Sequence, residues 1–248
     1  PACAAWAAIR GHPLNAPDLI FDSVEVLADG EQVLGPVSMR LASVGITVIM
    51  GANGAGKSLF LTTAHGLVAP HRGRVIWNGI PADSSRKSRG FVFQNTPVLR
   101  RSVAGNVAFP LSARKMPAIE KATLVARALA EARLTSQAHQ PAAALSGGEL
   151  KRLALARAMV TDPAVILLDE PAANLDPATT KELEDSLRRI SDAGTKVILS
   201  THDIAQARRL AGDILFFDAG LLIEQASAAA FFANPISQAA QKYLKGEL

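Results

Sequence analysis

The chain has 248 residues, of which 49% are hydrophobic and 19% are charged, and its formal net charge is +4 at pH 7. The apolar share suffices for a sizeable core and excludes an intrinsically disordered chain, while the single cysteine excludes a disulfide framework. No uninterrupted apolar run reaches the length of about 18 residues that a membrane-spanning helix needs.

The N-terminal part of the chain is predicted to form an arm followed by β-structure. Residues 1–18 lack hydrophobic periodicity and are interpreted as the arm. The next stretch separates β-branched runs by turn signals, which is typical of short strands. The predicted features are a turn at Asp29-Gly30, a turn at Gly35-Pro36, a buried strand at Ile46–Met50, a helix ending near Gly66 and a strand at Arg74–Trp77.

The rest of the chain alternates helical periodicity with short apolar runs of strand length. Such alternation favours a parallel sheet, so we predict an α/β fold with a mainly parallel core sheet. An antiparallel β lobe and a helical lobe at about residues 95–160 are attached to it. The predicted elements are a helix from Pro117, a helix from Glu149 to about Val160, strands at Val165–Leu168 and Val197–Leu199, a helix from Asp176 to Gly194 and a hairpin around Asp218-Ala219-Gly220.

The segment after the first buried strand matches the phosphate-binding pattern G-x-x-x-x-G-K-[ST] at every fixed position. Its glycines let successive backbone N–H groups point at phosphate oxygens, and the helix N-terminus adds partial positive charge. Lys57 is expected to reach the β- and γ-phosphates, and the Ser58 hydroxyl to ligate Mg²⁺. The predicted ATP-binding residues are Gly51, Ala52, Asn53, Gly54, Ala55, Gly56, Lys57, Ser58 and Leu59.

Two carboxylates follow the apolar strand Val165–Leu168, at the edge where open α/β sheets bind ligands. Asp169 is expected to hold Mg²⁺, and Glu170 to accept a proton from an attacking water. Alone, an Asp-Glu pair fits a cap of the following turn equally well. Its combination with the phosphate-binding turn favours a nucleotide hydrolase.

The segment Leu145–Glu149 reads Leu-Ser-Gly-Gly-Glu and predicts a helix start with a capping box between Ser146 and Glu149. A plain cap does not explain Gly147 and Gly148, because glycine lowers helix stability. The two glycines are suited to a close approach of backbone N–H groups to a phosphate.

With this signature, the chain resembles the ATP-binding subunits of ABC transporters over roughly residues 19–248. Three further segments match that family in order: Phe91–Gln94 resembles the Q-loop, Ala173–Asp176 the D-loop and Ser200–Asp203 the switch histidine loop. The resemblance implies a P-loop NTPase core that binds ATP and Mg²⁺. It also implies a head-to-tail homodimer, in which one copy contacts the ATP of the other through Ser146, Gly147, Gly148 and Glu149.

The resemblance also implies residue roles and partners. The implied catalytic residues are Glu170, His202 and Gln94, the implied metal ligands are Ser58, Gln94 and Asp169, and Asp176 belongs to the D-loop. The implied partners are transmembrane permease subunits and a separate substrate-binding protein, with no nucleic acid. The chain is expected at the cytoplasmic face of the membrane as a peripheral subunit.

Three positions depart from the family pattern. Ala28 stands where an aromatic residue often stacks on adenine, so the preference for ATP over GTP stays open. Leu59 replaces a second hydroxyl residue that would bind phosphate. Leu150-Lys151 replaces the usual glutamine-rich pair after the signature.

The segments 97–103 and 228–235 resemble those of tungstate importers, so import of tungstate or molybdate is the expected function. Phosphate or amino-acid import is the alternative within transporters. A soluble ABC ATPase outside transport, a P-loop kinase and a nucleic-acid-binding protein are rivals from other classes. The basic cluster Arg86–Arg89 is interpreted as a solvated loop rather than as a nucleic-acid site.

Overall fold

A computed structural model describes residues 17–95 and 97–247, so the arm expected for residues 1–18 lies almost entirely outside the described residues. The strands are β1 (Leu19–Ala28), β2 (Glu31–Leu41), β3 (Ile46–Met50), β4 (Arg72–Trp77), β5 (Ile80–Pro81), β6 (Arg89–Val92), β7 (Val165–Leu168), β8 (Lys196–Ser200), β9 (Asp213–Asp218) and β10 (Leu221–Ser227). The helices are α1 (Lys57–His65), α2 (Val103–Ala108), α3 (Ala118–Glu131), α4 (Gly147–Met159), α5 (Pro177–Asp192), α6 (Ile204–Leu210), α7 (Ala228–Ala233) and α8 (Gln238–Lys245). Within the described ranges, no helix is both long and apolar enough to cross a bilayer.

The core is a six-stranded sheet in the order β10-β9-β3-β8-β7-β6. Its strands from β9 to β6 are parallel, and β10 adds an antiparallel edge. Strands β3, β7 and β8 are buried along their whole length, because helices or a second sheet cover both faces. The predicted α/β fold with a mainly parallel sheet is confirmed.

A second, antiparallel sheet has the order β2-β1-β4-β5 and packs on one face of the core sheet. The predicted turn at Gly35-Pro36 is wrong, because β2 runs through both residues. Gly35 has φ 93°, and a Cβ there would collide with the carbonyl oxygen of Val24 on β1. The Gly-Pro pair therefore marks an irregularity within a strand pair rather than its end.

Three apolar clusters hold these layers together. One lies between the two sheets and contains Phe60 of α1, stacked on Phe21 with a ring-centroid distance of 4.5 Å. The second lies on the opposite face of the core sheet, beneath helices α4 to α8. The third joins α2, α3 and α4 into a helical lobe. Helices α2 and α6 escaped prediction because they span only six and seven residues, too few to display a helical period.

The basic cluster before β6 is only partly solvated, so its interpretation as a solvated loop is wrong for Arg89. The Arg89 guanidinium is buried and donates to the His65 carbonyl oxygen and to Ser85 Oγ, each at 2.9 Å. It also lies 5.2 Å from the ring centroid of Trp77. Burial, followed by the positive charge of Arg86, lowers the pKa of Arg89 to about 10. Arg89, the first residue of β6, is therefore a buried residue of the fold and not part of a solvated loop.

Candidate functional site

The loop between β3 and α1 has the geometry of a phosphate cradle. Gly51, Gly54 and Gly56 have φ values of 148°, 82° and 96°, which side-chain-bearing residues rarely adopt. A Cβ on Gly51 would also collide with the carbonyl oxygen of Phe217. Helix α1 starts without a side-chain cap and without an acidic residue in its first turn. Its N-terminal N–H groups therefore suit an external anion.

Lys57 is the buried cation of this loop, with 5% exposure. Its Nζ donates to the carbonyl oxygens of Gly51 and Ala52, at 2.9 Å each, and lies 3.7 Å from Oε1 of Glu170. Burial lowers the pKa of Lys57, while the negative charges of Glu170 and Asp169 act in the opposite direction. The ammonium group is thus buried and lies beside the Glu170 carboxylate, which follows β7.

Asp169, directly after β7, is buried and tied to two neighbouring elements. Its Oδ1 accepts from Ser58 Oγ at 2.9 Å and from Ser200 Oγ at 2.7 Å. Ser200 Oγ in turn accepts from the Glu170 N–H at 2.9 Å. From the sequence, Ser200 is predicted only as the first residue of the segment that resembles the switch histidine loop, without a role of its own. Its place at the end of a buried strand is a second signal that could have suggested a role at the site.

Glu170 is the point at which the predicted catalytic side chains meet. Its Oε2 lies 3.2 Å from Gln94 Nε2 and 3.3 Å from His202 Nδ1. Its backbone has φ 41°, an unusual value for a residue with a side chain. Such strain costs about 1–3 kcal/mol and is common at functional sites. The structure therefore brings Gln94, Glu170 and His202 together beside Lys57.

The oxygen-bearing side chains at this edge of the sheet fit a magnesium ion bound together with a nucleotide. Ser58, Asp169 and Gln94 offer hydroxyl, carboxylate and amide oxygens, which Mg²⁺ prefers. Mg²⁺ commonly takes one or two carboxylates and completes its shell with substrate phosphates and water. Over residues 17–95 and 97–247, no cluster of three or more His, Cys, Asp or Glu side chains forms a metal site.

The signature residues lie at the start of α4, in the helical lobe. The Ser146 N–H donates to Glu149 Oε2 at 2.8 Å, and the Glu149 N–H donates to Ser146 Oγ at 3.4 Å, so the predicted capping box is present. Hydrogen bonds from Ser146 lower the pKa of the Glu149 carboxyl. Gly147 is exposed, and a Cβ there would meet no atom within 4 Å. Packing within this chain therefore does not require glycine at that position.

Asp176 caps helix α5 and lies close to the signature. Its carboxylate accepts from the N–H groups of Ala178 and Thr179, at 2.9 Å and 3.0 Å, and from the Thr179 hydroxyl. These bonds, led by that of the Thr179 hydroxyl, lower the pKa of Asp176. A Cβ on Gly148 would lie 2.9 Å from the methyl carbon of Thr179. Thr179, which the sequence did not single out, thus joins the signature and D-loop residues into a second cluster.

Three further residues bear on the site: Ala28 and Leu59, which depart from the family pattern, and Tyr243, which was not predicted. Ala28 is exposed at the end of β1, and Leu59 packs partly buried against the cluster between the sheets. Tyr243 of α8 donates its hydroxyl to the His202 carbonyl oxygen at 3.0 Å and lies 3.5 Å from that of Gly51. No local pattern in the sequence marks this tyrosine.

Comparisons with known proteins agree with this geometry. The family model described as ABC transporter matches residues 34–173. A phosphate import ATP-binding protein of Lactobacillus acidophilus is 34% identical over 92% of each chain. A methionine import ATP-binding protein of Caulobacter vibrioides is 32% identical over 87% of this chain and 68% of its own. The solved structure of cbiO1 from Clostridium perfringens, part of the ABC transporter complex cbiONQ, matches with a TM-score of 0.79 and 29% identity, over 87% of this chain and 90% of that one.

Proposed function

The chain belongs to the ABC transporter family, as the ATP-binding subunit of an importer that couples ATP hydrolysis to transport, and from this premise we propose roles for the residues of its site. The observation that carries the proposal is the convergence of Lys57, Gln94 and His202 on the single carboxylate of Glu170. The three side chains follow three different strands, β3, β6 and β8, at one edge of the parallel sheet.

Glu170 is the general base that accepts a proton from the attacking water. Two donors, Gln94 and His202, fix its Oε2, so the carboxylate is oriented before the reaction begins. Lys57 and the N–H groups of residues 51–58 hold the phosphates of ATP and stabilise their charge. Ser58, Asp169 and Gln94 would hold Mg²⁺. When bound, this ion supplies positive charge against the phosphate oxygens.

The second cluster serves a second copy of the chain. Two copies pair head to tail, and Ser146, Gly147, Gly148 and Glu149 of one copy contact the ATP held by the other. This role is supported by the exposed position of Gly147 at the start of α4 and by the open space around it. Asp176 lies at the same surface through its contact with Thr179. Closure of the dimer on ATP and its reopening after hydrolysis give a two-state element.

The dimer binds transmembrane permease subunits at the cytoplasmic face of the membrane, and these subunits receive the cargo from a separate substrate-binding protein. The cargo is an oxyanion, tungstate or molybdate, as the segments 97–103 and 228–235 suggest. The relative named for phosphate import, which matches over 92% of each chain, favours phosphate as the second candidate. The relatives named for methionine import support an amino acid as the third.

Uptake by cells that carry either this chain or its Lys57→Ala variant tests the proposal. Tungsten and molybdenum contents are measured by mass spectrometry, and labelled phosphate and methionine are followed in parallel. We expect the variant to lose tungsten, or both metals, while phosphate and methionine uptake stay unchanged. A loss confined to phosphate uptake or to methionine uptake would identify that compound as the cargo instead of tungstate or molybdate. Unchanged uptake of all four would refute every cargo proposed.

A further inference from the structure

Helix α4 carries the signature at its start, and two of its side chains hydrogen-bond to the loop that follows β6. Lys151, in its second turn, donates its Nζ to the carbonyl oxygen of Gln94. Arg157, farther along the same helix, donates to the carbonyl oxygen of Pro97 at 2.7 Å. One helix thus holds the main chain at both ends of the segment from Gln94 to Pro97.

The packing below these two contacts is tight. Gly90 of β6 faces α4 so closely that a Cβ would lie 3.0 Å from the Ala158 carbonyl oxygen. Since β6 leads directly into Gln94, the strand and the loop both rest on α4. One helix therefore contacts the strand and the loop and also carries Ser146 at its start.

The side chain of Lys151 is half-buried. Burial lowers the pKa of Lys151, while the negative charges of Asp169 and Glu170 act in the opposite direction. Its hydrogen bond goes to the backbone carbonyl oxygen of Gln94. Burial also lowers the pKa of Arg157.

We propose that Lys151 is a positioning residue for ATP hydrolysis. By holding the main chain at Gln94, it keeps the Gln94 amide on Oε2 of Glu170 and ties this loop to the helix that carries the signature. The proposal rests on the roles proposed above for Gln94 and Glu170. Lysine stands here where the family pattern has a glutamine-rich pair.

Steady-state ATP hydrolysis by Lys151→Met and Lys151→Arg tests the proposal. We expect Lys151→Met to lower kcat roughly 10-fold, because a displaced positioning group costs rate rather than affinity, and to leave KM for ATP within about twofold. Lys151→Arg retains a cationic donor and should restore at least half of the lost kcat. Lys181→Met, at an exposed position of α5, is the matched control and should behave as the wild type.

Two further variants separate a positioning role from a structural one. In a Gln94→Ala background, Lys151→Met should lower kcat by less than about twofold, since its effect passes through Gln94. An equal loss of kcat in both backgrounds, a wild-type kcat in Lys151→Met, or a loss that Lys151→Arg does not restore would overturn the proposal. Glu170→Gln is assayed alongside. If Glu170→Gln keeps wild-type turnover, the assignment of Glu170 as the base is wrong. If Glu170→Gln loses turnover but Lys151→Met keeps it, only the inference on Lys151 fails.

Discussion

The ammonium nitrogen of Lys57 lies 3.7 Å from a carboxylate oxygen of Glu170. The residue proposed to bind phosphate and the residue proposed as the base therefore partly neutralise each other. We expect phosphate oxygens that enter the loop to compete for this ammonium group and to leave the Glu170 carboxylate free to accept a proton. Occupancy of the loop would then be linked to activation of the proposed base.

Replacement of Glu170 by glutamine separates binding from hydrolysis. The amide keeps the size of the side chain but accepts no proton, so we expect turnover to fall roughly 100- to 10 000-fold. ATP affinity should stay within about threefold, because the phosphate-binding groups are retained. Phosphate release and calorimetry measure the two quantities, and Glu120→Gln on α3 is the control. Turnover near that of the wild type would remove Glu170 as the base.

Replacement of Lys57 by alanine affects binding itself. Loss of a charged hydrogen-bond donor costs about 1.5–3 kcal/mol, so we expect the Kd for ATP to rise roughly 10- to 150-fold. Calorimetry measures the Kd, and a thermal melt of the same variant checks the fold, since Lys57 also binds the Gly51 and Ala52 carbonyls. An unchanged Kd would contradict the assignment.

Ser146→Ala tests the signature cluster. The lost N-cap should cost about 1 kcal/mol of stability. ATP binding to the monomer should be unaffected, whereas ATP-driven dimerisation, followed by light scattering, should weaken. Ser102→Ala removes the equivalent cap of α2 in the same lobe and serves as the control. Equal dimerisation by both variants would refute a contact between Ser146 and the partner's nucleotide.

His65, at the end of α1, makes stability depend on pH. Burial, followed by the positive charge of Arg89, lowers its pKa to about 4 from the ordinary 6.5. Between these values the unfolded chain takes up a proton that the folded protein refuses, so the free energy of unfolding falls as the pH is lowered. The full difference corresponds to roughly 3 kcal/mol.

Urea denaturation between pH 7 and pH 4 measures this effect. We expect His65→Leu to lose less stability on acidification than the wild type, whatever its stability at pH 7. His139→Gln, at an exposed position of the helical lobe, should follow the wild-type profile. A decline in His65→Leu parallel to that of the wild type would show that other groups cause the acid sensitivity.

The sequence predicted those parts of the molecule whose chemistry is local. The phosphate loop, the strand that precedes Asp169 and the capping box of Ser146 each depend on neighbours within a few residues. Arg89 escaped prediction because its partner His65 is distant in the chain and meets it only in the packed fold. The hydrogen bonds of Ser200 likewise follow from the pairing of β7 with β8, a long-range contact.

The hydroxyl of Tyr243 connects α8 to two loops that leave the adjacent strands β3 and β8. Local opening of this helix removes a contact from the loop of Gly51 and from the loop of His202 in a single event. We therefore expect the two loops and α8 to open together, so that their amide hydrogens exchange with solvent at a shared rate. A helix that contributes no group to the chemistry would then influence how often both loops lose their order.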